Sequence, residues 1–327
     1  MDVMVTNERW RFVTPFRIAY EEAADIEVIV VTLTDGIHRG RGEAAGVSYH
    51  GETVQSMIAQ IEAVRGSLEV GIDRQALQLL LPAGGARNAI DCALWDLEAK
   101  RAHQSVSVLA GLPAPRKLST FCTIGLDVPD VMATQAANLV AAGYTHIKLK
   151  LCGKGDLDRV RAVRASAPTA RLIVDANQSW STHEMETYPM ELHRLGVELI
   201  EQPMPMNDDA AITQFERPIP ICADESCQTT ESLNRLVGLY DFVNVKLDKT
   251  GGLTEALRLS NEARSLGFNL MVGNMCGTSL AMAPAFLVGQ NCLTVDLDGP
   301  LLNVEDRPHG LTYRGALVDP PSRELWG

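Results

Sequence analysis

Several features that would point to common classes of protein are missing from this sequence. Basic residues are in the minority: 29 Lys and Arg stand against 41 Asp and Glu, for a net charge of −12 over 327 residues. Such a chain lacks the positive surface that binds phosphate backbones or anionic lipid headgroups. We therefore expect neither nucleic acid nor a membrane as a partner, and we look for a small-molecule substrate.

The cysteines and histidines offer no recognisable metal or disulfide pattern. The seven cysteines are odd in number and scattered, no two are spaced as Cys-x-x-Cys, and the histidines include no His-x-x-x-His pair. No stretch approaches the roughly 18 uncharged apolar residues of a membrane helix, and the opening MDVMVTNERWRF lacks the apolar centre of a signal peptide. We expect a cytoplasmic protein.

The composition that remains is that of a globular protein with a large core. Hydrophobic residues make up 46% of the chain and charged residues 21%. The length suits two domains, or one large barrel with an appended domain.

Residues 1–112 show mixed strand and helix patterns. A turn at Asp35-Gly36 separates two of three strand-like runs, and helical spacing follows in three segments before Pro113 and Pro115. The strand-like runs are 4–13, 27–34 and 39–43, and the helical segments are 53–68, 74–81 and 88–101. This pattern predicts an N-terminal α+β capping domain over 1–112.

The next part of the chain repeats a short apolar run and a helical segment eight times. The strand candidates are 119–124, 146–151, 172–176, 198–201, 219–224, 242–247, 269–273 and 293–297. Eight units in the 180 residues from Ser119 to Asp298 predict an α/β fold, a (β/α)₈-type barrel over 113–300. The rival, an open doubly wound sheet, would want a Gly-x-Gly-x-x-Gly turn after its first strand, and none is present. We expect residues 301–327 to return to the capping domain.

Five consecutive strand candidates end in charged residues, one strand-plus-helix unit apart. These are Lys148 and Lys150 on the second strand, Asp175 on the third, Glu201 on the fourth, Asp224 on the fifth and Lys246 on the sixth. The carboxyl ends of barrel strands meet at one mouth, so we expect all six side chains to share one site.

The chemistry of this set is complementary. Three carboxylates supply the hard oxygen ligands that Mg²⁺ prefers. Lys148 and Lys150 alternate on one strand and so point the same way, and we expect their mutual repulsion to lower the pKa of at least one of them. With Lys246 facing them across the metal, two bases would flank one carbon, which suits removal of a proton next to a carboxylate.

Taken one at a time, these residues have plainer explanations. A lone aspartate after a strand can be a helix cap, and a lone lysine a solvated strand end. The joint pattern favours a site. Lys249 and His146 are assigned to structure and Glu225 to a place behind the ligands, whereas His50, in the segment 46–52, is a specificity candidate. The residues expected to line the mouth after the seventh strand are Asn274, Met275 and Cys276.

Five ordered motifs resemble the muconate-lactonizing subgroup of the enolase superfamily. They are KLK at 148–150, VDAN at 174–177, EQP at 201–203, ADES at 223–226 and VKLDKTGG at 245–252, and ALWDLEAK at 93–100 is similar to that family's capping domain. The resemblance implies one Mg²⁺ per subunit. DLDGP at 296–300 is similar to the Asp-x-Asp of dipeptide epimerases, particularly L-Ala-D/L-Glu epimerases, which implies that Asp296 and Asp298 bind the substrate's N-terminal ammonium.

The sequence departs from that pattern in the capping loop. Glutamate-specific members of the family carry an arginine there, whereas this chain has Glu21, Glu22 and Ala23, with Arg17 as the nearest cation. An acidic second residue would meet like charge in this loop. We expect a dipeptide whose second side chain is neutral or cationic, with Glu21 and Glu22 among the substrate-binding residues.

The resulting expectation is an isomerase, a homo-oligomer that epimerises a dipeptide by 1,1-proton transfer, with Lys150 and Lys246 as acid and base and Lys148 adding positive charge. Three alternatives remain. The same site could catalyse elimination or cycloisomerisation, as in o-succinylbenzoate synthase or muconate cycloisomerase. A barrel lysine could form a Schiff base, as in an aldolase. The chain could also be an inactive binding protein.

Overall fold

The N-terminal part of the chain packs an antiparallel sheet against helices. In the computed structural model, which describes residues 1–327, the sheet has the order β1-β2-β3 and the three predicted strands are present. The elements are β1 (Asp2–Arg17), β2 (Glu22–Thr34), β3 (Arg39–Ala44), α1 (Val54–Val70), α2 (Arg74–Leu80), α3 (Gly85–Ala102) and α4 (Val106–Leu109), with a 3₁₀ turn at Ser48–His50.

Strand β3 lies directly on helix α3, and two glycines permit this approach. A Cβ atom on Gly40 would lie 2.2 Å from the Ala93 carbonyl oxygen, and one on Gly42 would lie 2.1 Å from that of Ala89. No side chain fits in either gap. The close contact fixes the sheet over α3, which in turn packs on the second part of the chain.

Eight parallel strands follow in sequential order and curl into a barrel. They are β5 (Cys122–Ile124), β6 (His146–Lys150), β7 (Arg171–Asp175), β8 (Val197–Glu201), β9 (Ile221–Ala223), β10 (Phe242–Val245), β11 (Asn269–Val272) and β12 (Thr294–Val295). The N–H of Phe121, just before β5, donates to Val295 O of β12 at 2.8 Å, which joins the first and last strands. The predicted (β/α)₈-type barrel is confirmed.

Helices surround the strands and bury their outer faces in a large apolar core. They are α5 (Pro129–Ala141), α6 (Asp156–Ser166), α7 (Thr182–Arg194), α8 (Leu233–Leu236), α9 (Leu247–Thr250), α10 (Leu253–Ser265), α11 (Ser279–Gly289) and α12 (Gly299–Leu302), with 3₁₀ turns at Asp209–Gln214 and Thr230–Ser232. None of the helices is both long enough and apolar enough to span a lipid bilayer.

The barrel interior has an apolar floor beneath the predicted site. Ile173, Leu199 and Cys222 belong to a buried cluster contributed by neighbouring strands. The carboxylates of Asp175, Glu201 and Asp224 each follow one of these residues by two positions. Alternate strand residues face the same way, so each carboxylate stands directly above a floor residue.

The predicted first barrel strand is divided in two. Leu118–Ser119 forms β4, which pairs with β14 (Leu317–Val318) and, through it, with β13 (Tyr313–Arg314), so only the later part of the run enters the barrel as β5. The chain end contacts the capping region: Trp326 Nε1 donates to Cys92 O at 3.0 Å, and Gly327 N to Asp96 Oδ1 at 2.7 Å. The domain boundaries at 112 and 300 stay predictions.

Candidate active site

The three predicted carboxylate ligands meet at the carboxyl ends of adjacent strands. The register places Lys150 opposite Asp175 and Asp175 opposite Glu201, and Asp224 follows β9 directly. All three carboxylates are buried, and one oxygen from each lies within 4.8 Å of one from each of the others. Three hard oxygen donors at this spacing suit a single Mg²⁺ ion.

Lys148 and Lys150 reach this cluster from β6. Lys148 Nζ lies 2.6 Å from Glu201 Oε2, 3.1 Å from Asp175 Oδ2 and 2.8 Å from Asp296 Oδ2. Lys150 Nζ lies 2.6 Å from Asp175 Oδ2. The two ammonium groups therefore share the Asp175 carboxylate, as their alternation on the strand predicts.

Asp224 is held from the other side by two lysines. Lys246 Nζ contacts Asp224 Oδ2 at 2.6 Å, and Lys249 Nζ contacts Asp224 Oδ1 at 2.6 Å and Asn244 O at 3.0 Å. Strand parity alone would turn Lys249 away from the site. Because α9 begins at Leu247, however, the chain changes from strand to helix and residues three apart lie on one side.

The pKa values of Lys148 and Lys246 are raised above the usual value for lysine. Burial by itself lowers the pKa of Lys148, but Asp296, Glu201 and Asp175 outweigh it and hold the pKa well above its usual value. At Lys246, burial likewise lowers the pKa and the charge of Asp224 raises it, and the net effect is a raised pKa. The expected lowering is not found at Lys148, because the surrounding carboxylates outweigh the repulsion from the neighbouring lysine.

The pKa values of the three triad carboxylates shift in two directions. Burial favours their neutral forms, but Lys150 and Lys148 overcome it at Asp175 and lower its pKa to about 2, and Lys246 and Lys249 likewise lower the pKa of Asp224. At Glu201, burial and the charge of Asp175 prevail and raise the pKa to about 7. The lysines therefore stabilise the ionised forms of Asp175 and Asp224, but they do not fully compensate the cost of ionising Glu201.

The count of charges and of unpaired atoms fits a divalent cation. Six buried carboxyl groups face four buried lysines, so that ionisation of all six would leave two negative charges in excess; they are Asp175, Glu201, Asp224, Glu225, Asp296 and Asp298 against Lys148, Lys150, Lys246 and Lys249. Burial and Asp224 raise the pKa of Glu225 to about 8, and its Oε2 has no hydrogen-bond partner. A buried excess of this sign is costly unless a cation offsets it.

A cavity of about 150 Å³ lies between the barrel mouth and the capping region. Its ionic part is formed by Lys150, Lys246, Asp224 and Glu225, and the capping region contributes Tyr20, Glu21, Ser48 and Tyr49. Asn274, Met275 and Cys276 line it as predicted, and apolar side chains from β1 and β2 complete the wall. The cavity thus combines the ionic cluster with a largely apolar outer part.

Lys150 and Lys246 enter this cavity from opposite directions. Lys150 ends β6 and Lys246 follows β10, and these strands lie four places apart in the order of eight. Four places in a ring of eight strands correspond to opposite walls. A carbon between the two ammonium groups would present one face to each.

Four predicted substrate-binding residues lie outside the cavity wall, namely Glu22 and His50 in the capping region and Asp296 and Asp298 at the end of the barrel. Glu22 is exposed and pairs with Arg17 at 2.8 Å, and the exposed His50 packs its ring edge against Tyr49 with ring centres 4.7 Å apart. Tyr49 occupies the place in the wall that the sequence suggested for His50. The 3₁₀ turn at residues 48–50 decides which of the two neighbours points inward, and strand or helix periodicity gives no signal for it.

Asp296 and Asp298 lie behind the lysines, where the last strand meets the first. Asp296 Oδ2 accepts from Lys148 Nζ at 2.8 Å, and Asp298 Oδ2 accepts from Thr123 N at 2.6 Å. Both carboxylates are buried, and Asp296 Oδ1 has no hydrogen-bond partner. Burial and the charge of Asp296 raise the pKa of Asp298 to about 7.

Comparison with known proteins supports the resemblance in the motifs. A model of the mandelate racemase/muconate lactonizing enzyme N-terminal domain matches residues 1–111, and one described as enolase C-terminal domain-like matches residues 131–323. The L-Ala-D/L-Glu epimerase of Escherichia coli K12 is 46% identical over 91% of this chain and 93% of its own. The N-acetyl-D-glutamate racemase of a Pseudoalteromonas species is 40% identical over 92% and 95%.

A solved structure agrees over almost the whole chain. It is an enolase family member from Agrobacterium tumefaciens with homology to dipeptide epimerases, with bound sodium and L-Ala-L-Glu. It shares 46% of its sequence, covers 99% of both chains and superimposes with a TM-score of 0.96. The chain therefore belongs to the mandelate racemase/muconate lactonizing enzyme family of the enolase superfamily.

Proposed function

We propose that this protein is a Mg²⁺-dependent dipeptide epimerase that inverts the α-carbon of the C-terminal residue. One observation carries the proposal. Lys150 and Lys246 reach a single cavity from opposite sides, and each contacts a different carboxylate of the same buried triad. Inversion at carbon needs a base on one face and an acid on the other, and this arrangement supplies both.

The metal would be held by Asp175, Glu201 and Asp224, one ion per subunit. When bound there, Mg²⁺ supplies positive charge that stabilises the extra negative charge of a substrate carboxylate as its α-proton is removed. Lys148 is buried behind the triad, so its part is to add a fixed positive charge and to hold Glu201 and Asp175 in place.

The two lysines would exchange roles between the two stereoisomers. With one isomer bound, Lys150 as the neutral amine takes the proton from the α-carbon and becomes an ammonium, while the Lys246 ammonium delivers its proton to the other face and becomes neutral; with the other isomer the protonation states and roles reverse. Their contacts to Asp175 and Asp224 orient the two side-chain nitrogens in the cavity. Proton transfer of this kind contributes about 10²–10⁴-fold to a rate.

The N-terminal ammonium of the dipeptide has a complementary site in Asp296 and Asp298. These two carboxylates are buried with no cation except Lys148 in contact, and Asp296 Oδ1 is unpaired. A buried carboxylate in this state gains from a cationic partner. This favours a free dipeptide over an N-acylated amino acid, which has no such ammonium.

The wall of the cavity supports a neutral or cationic second side chain. Its only cations are Lys150 and Lys246, at the reacting carbon, whereas Glu21 supplies negative charge in the capping part. The rest of that part is apolar, with Phe16 and Ile18 among its residues. A glutamate side chain there would lack a cationic partner and would meet Glu21.

The proposal is tested by exchange of the α-proton with deuterated water, followed by NMR over a panel of L-Ala-L-Xaa dipeptides. We expect exchange and inversion with apolar and basic second residues, none with N-acetylated amino acids, loss of activity with EDTA and recovery with Mg²⁺. Exclusive turnover of Xaa-Glu would refute the specificity and leave the epimerase assignment standing. Turnover of no dipeptide would refute the assignment itself.

Elimination or cycloisomerisation is the second candidate, since the same lysines and triad could serve it. The buried pair Asp296 and Asp298 disfavours it, because such substrates carry no ammonium for this pair to bind. A Schiff-base aldolase would keep its activity in EDTA and be trapped by borohydride, which separates it from the proposal. The cytoplasmic location and the homo-oligomeric state stay predictions.

A further inference from the structure

Gln202 links two of the proposed metal ligands without touching either carboxylate. It follows Glu201 directly at the end of β8, is fully buried and has a φ of 33°, a value that few non-glycine residues adopt. Backbone strain of this kind persists where surrounding contacts enforce it. Here the contacts are made by the main chain, which bonds to Cys222 O and Gln178 N, and by the side-chain amide.

The amide oxygen of Gln202 accepts two main-chain hydrogen bonds from the segment after β9. Asp224 N donates at 2.9 Å and Ser226 N at 3.1 Å. The amide nitrogen lies within hydrogen-bond distance of three acceptors, Met204 O at 3.0 Å, Ser226 Oγ at 2.9 Å and Tyr240 OH at 3.0 Å. A flipped amide would set its NH₂ against two N–H donors, so only this orientation satisfies the group.

These bonds continue the strand pairing past the point where the sheet ladder stops. The register of β8 with β9 ends with Glu201 opposite Cys222, and Gln202 N donates to Cys222 O at 2.9 Å. Beyond that pair, Asp224 N donates to the side-chain oxygen of Gln202 and not to a main-chain carbonyl. The Gln202 side chain thus adds a second connection, beyond the main-chain bond to Cys222, between the segments that carry Glu201 and Asp224.

The partners of the amide are themselves anchored. Ser226 Oγ donates to Asp209 Oδ1 at 3.0 Å, and Tyr240 OH donates to the same atom at 2.5 Å. All four side chains are buried. A fully satisfied buried network of this kind is rigid, because each group can lose a partner only at the full cost of desolvation.

We propose that Gln202 is a positioning residue of the metal site, which sets the distance between the Glu201 and Asp224 carboxylates. The inference rests on the proposed function, since it takes Mg²⁺ as the ion. Residues that orient metal ligands typically cost about 10–100-fold in metal affinity when replaced. Mg²⁺ demands near-ideal octahedral geometry, whereas Ca²⁺ tolerates varied geometry, so a loosened pair should weaken Mg²⁺ more than Ca²⁺.

The test is titration calorimetry of Mg²⁺ and Ca²⁺ with the substrate-free protein. Gln202→Met removes the amide, and Gln202→Asn shortens it by one methylene so that it no longer spans the two strand ends. Tyr240→Phe is the matched control, because it removes one hydroxyl of the network and leaves the bonds to Asp224 N and Ser226 N. Thermal unfolding in EDTA reports the stability of each variant separately.

We expect both Gln202 variants to bind Mg²⁺ at least about tenfold more weakly and to lose selectivity for Mg²⁺ over Ca²⁺. Tyr240→Phe should lose stability and keep its metal selectivity. Variants that unfold earlier but keep the wild-type ratio of Mg²⁺ to Ca²⁺ affinity would show a purely structural role and overturn the inference. Wild-type protein that binds neither ion would instead overturn the metal site of the proposed function.

Discussion

Asp248 Oδ1 accepts a hydrogen bond from Gly46 N at 2.8 Å, inside the contact between the capping region and the barrel. Asp248 lies two residues after Lys246, and Gly46 lies in the segment that brings Ser48 and Tyr49 to the cavity. The bond thus ties a part of the cavity wall to the strand end that carries one proposed base. The Asp248 side chain is buried at this contact.

We predict that Asp248 makes the stability of the protein depend on pH between about 4 and 7. Burial raises the pKa of Asp248 from 3.8 to about 7, so the folded state binds the proton more tightly than the unfolded state. The stabilisation of the folded state by the protonated Asp248 carboxyl is complete below pH 3.8 and is lost as the pH rises through 7. Asp248→Asn keeps an acceptor for Gly46 and removes the titration.

Chemical denaturation at pH 5 and pH 8 measures this effect. The unfolding free energy of Asp248→Asn, relative to the wild type, should be higher at pH 8 than at pH 5. Asp130→Asn, at an exposed position in the first turn of α5, is the control. An Asp248 variant whose difference from the wild type is the same at both pH values would contradict the prediction.

We predict that each cavity lysine is needed for inversion, whereas either one alone supports half of the reaction. Lys150→Met and Lys246→Met should each lower the rate of epimerisation by about 10²–10⁴-fold. Because each lysine faces one side of the α-carbon, each variant should still exchange the α-proton of one stereoisomer with deuterated solvent, and the two variants should differ in which isomer they accept.

NMR of the separated dipeptide isomers in deuterated water checks this. Lys154→Met, at an exposed position beyond β6, should leave both exchange and inversion unchanged. If both cavity variants exchanged the same isomer, the two lysines would not lie on opposite faces of the substrate.

We predict that loss of one triad carboxylate weakens metal binding specifically. Glu201→Gln keeps an oxygen that can accept from Asn244 Nδ2, now 2.7 Å from Glu201 Oε1, but removes a negative charge from the proposed ligand set. Mg²⁺ affinity should fall at least about tenfold. Calorimetric titration with Mg²⁺ is the measurement.

Asp156→Asn serves as the matched control for that experiment. Asp156 is a buried carboxylate near the same end of the barrel, with Gly153 N and Trp180 Nε1 donating to it at 2.7 and 2.9 Å. It lies outside the triad, so its variant should bind Mg²⁺ as the wild type does. Equal effects of the two substitutions would mean that Glu201 is no ligand.

We predict that Glu21 selects against an acidic second residue. Glu21→Gln removes the negative charge from the capping part of the cavity and should raise kcat/KM for L-Ala-L-Glu relative to L-Ala-L-Lys by at most roughly fivefold, since the charge is exposed to solvent. Glu22 is the next residue along the chain and pairs with Arg17 outside the cavity, so Glu22→Gln should leave the ratio of the two kcat/KM values unchanged. An unaltered ratio in both variants would remove Glu21 from substrate selection.

Much of the site could be predicted because the fold converts sequence spacing into proximity. One strand-plus-helix unit separates each of Lys150, Asp175, Glu201 and Asp224 from the next, and strand alternation turns them inward. The register of β6, β7 and β8 reproduces that expectation residue by residue. These rules apply within the barrel and do not depend on how the capping region packs over its mouth.

Other features depend on contacts between distant residues, or on the exact ends of helices and strands, which sequence spacing does not predict. The raised pKa of Lys148 depends on Asp296, which lies 148 residues further along the chain. The direction of Lys249 depends on where β10 ends and α9 begins, and the choice of Tyr49 over His50 depends on one 3₁₀ turn.

The sequence by itself therefore determined the fold class, the carboxylate triad and the cavity lysines, because barrel periodicity is local and repeats along the chain. Only the tertiary structure decided the charge balance at the mouth, the residues of the capping wall and the hydrogen bonds of Gln202. Electrostatic energy sums over every group within reach, and packing selects one rotamer among several. Both are properties of groups assembled in space, far apart along the chain.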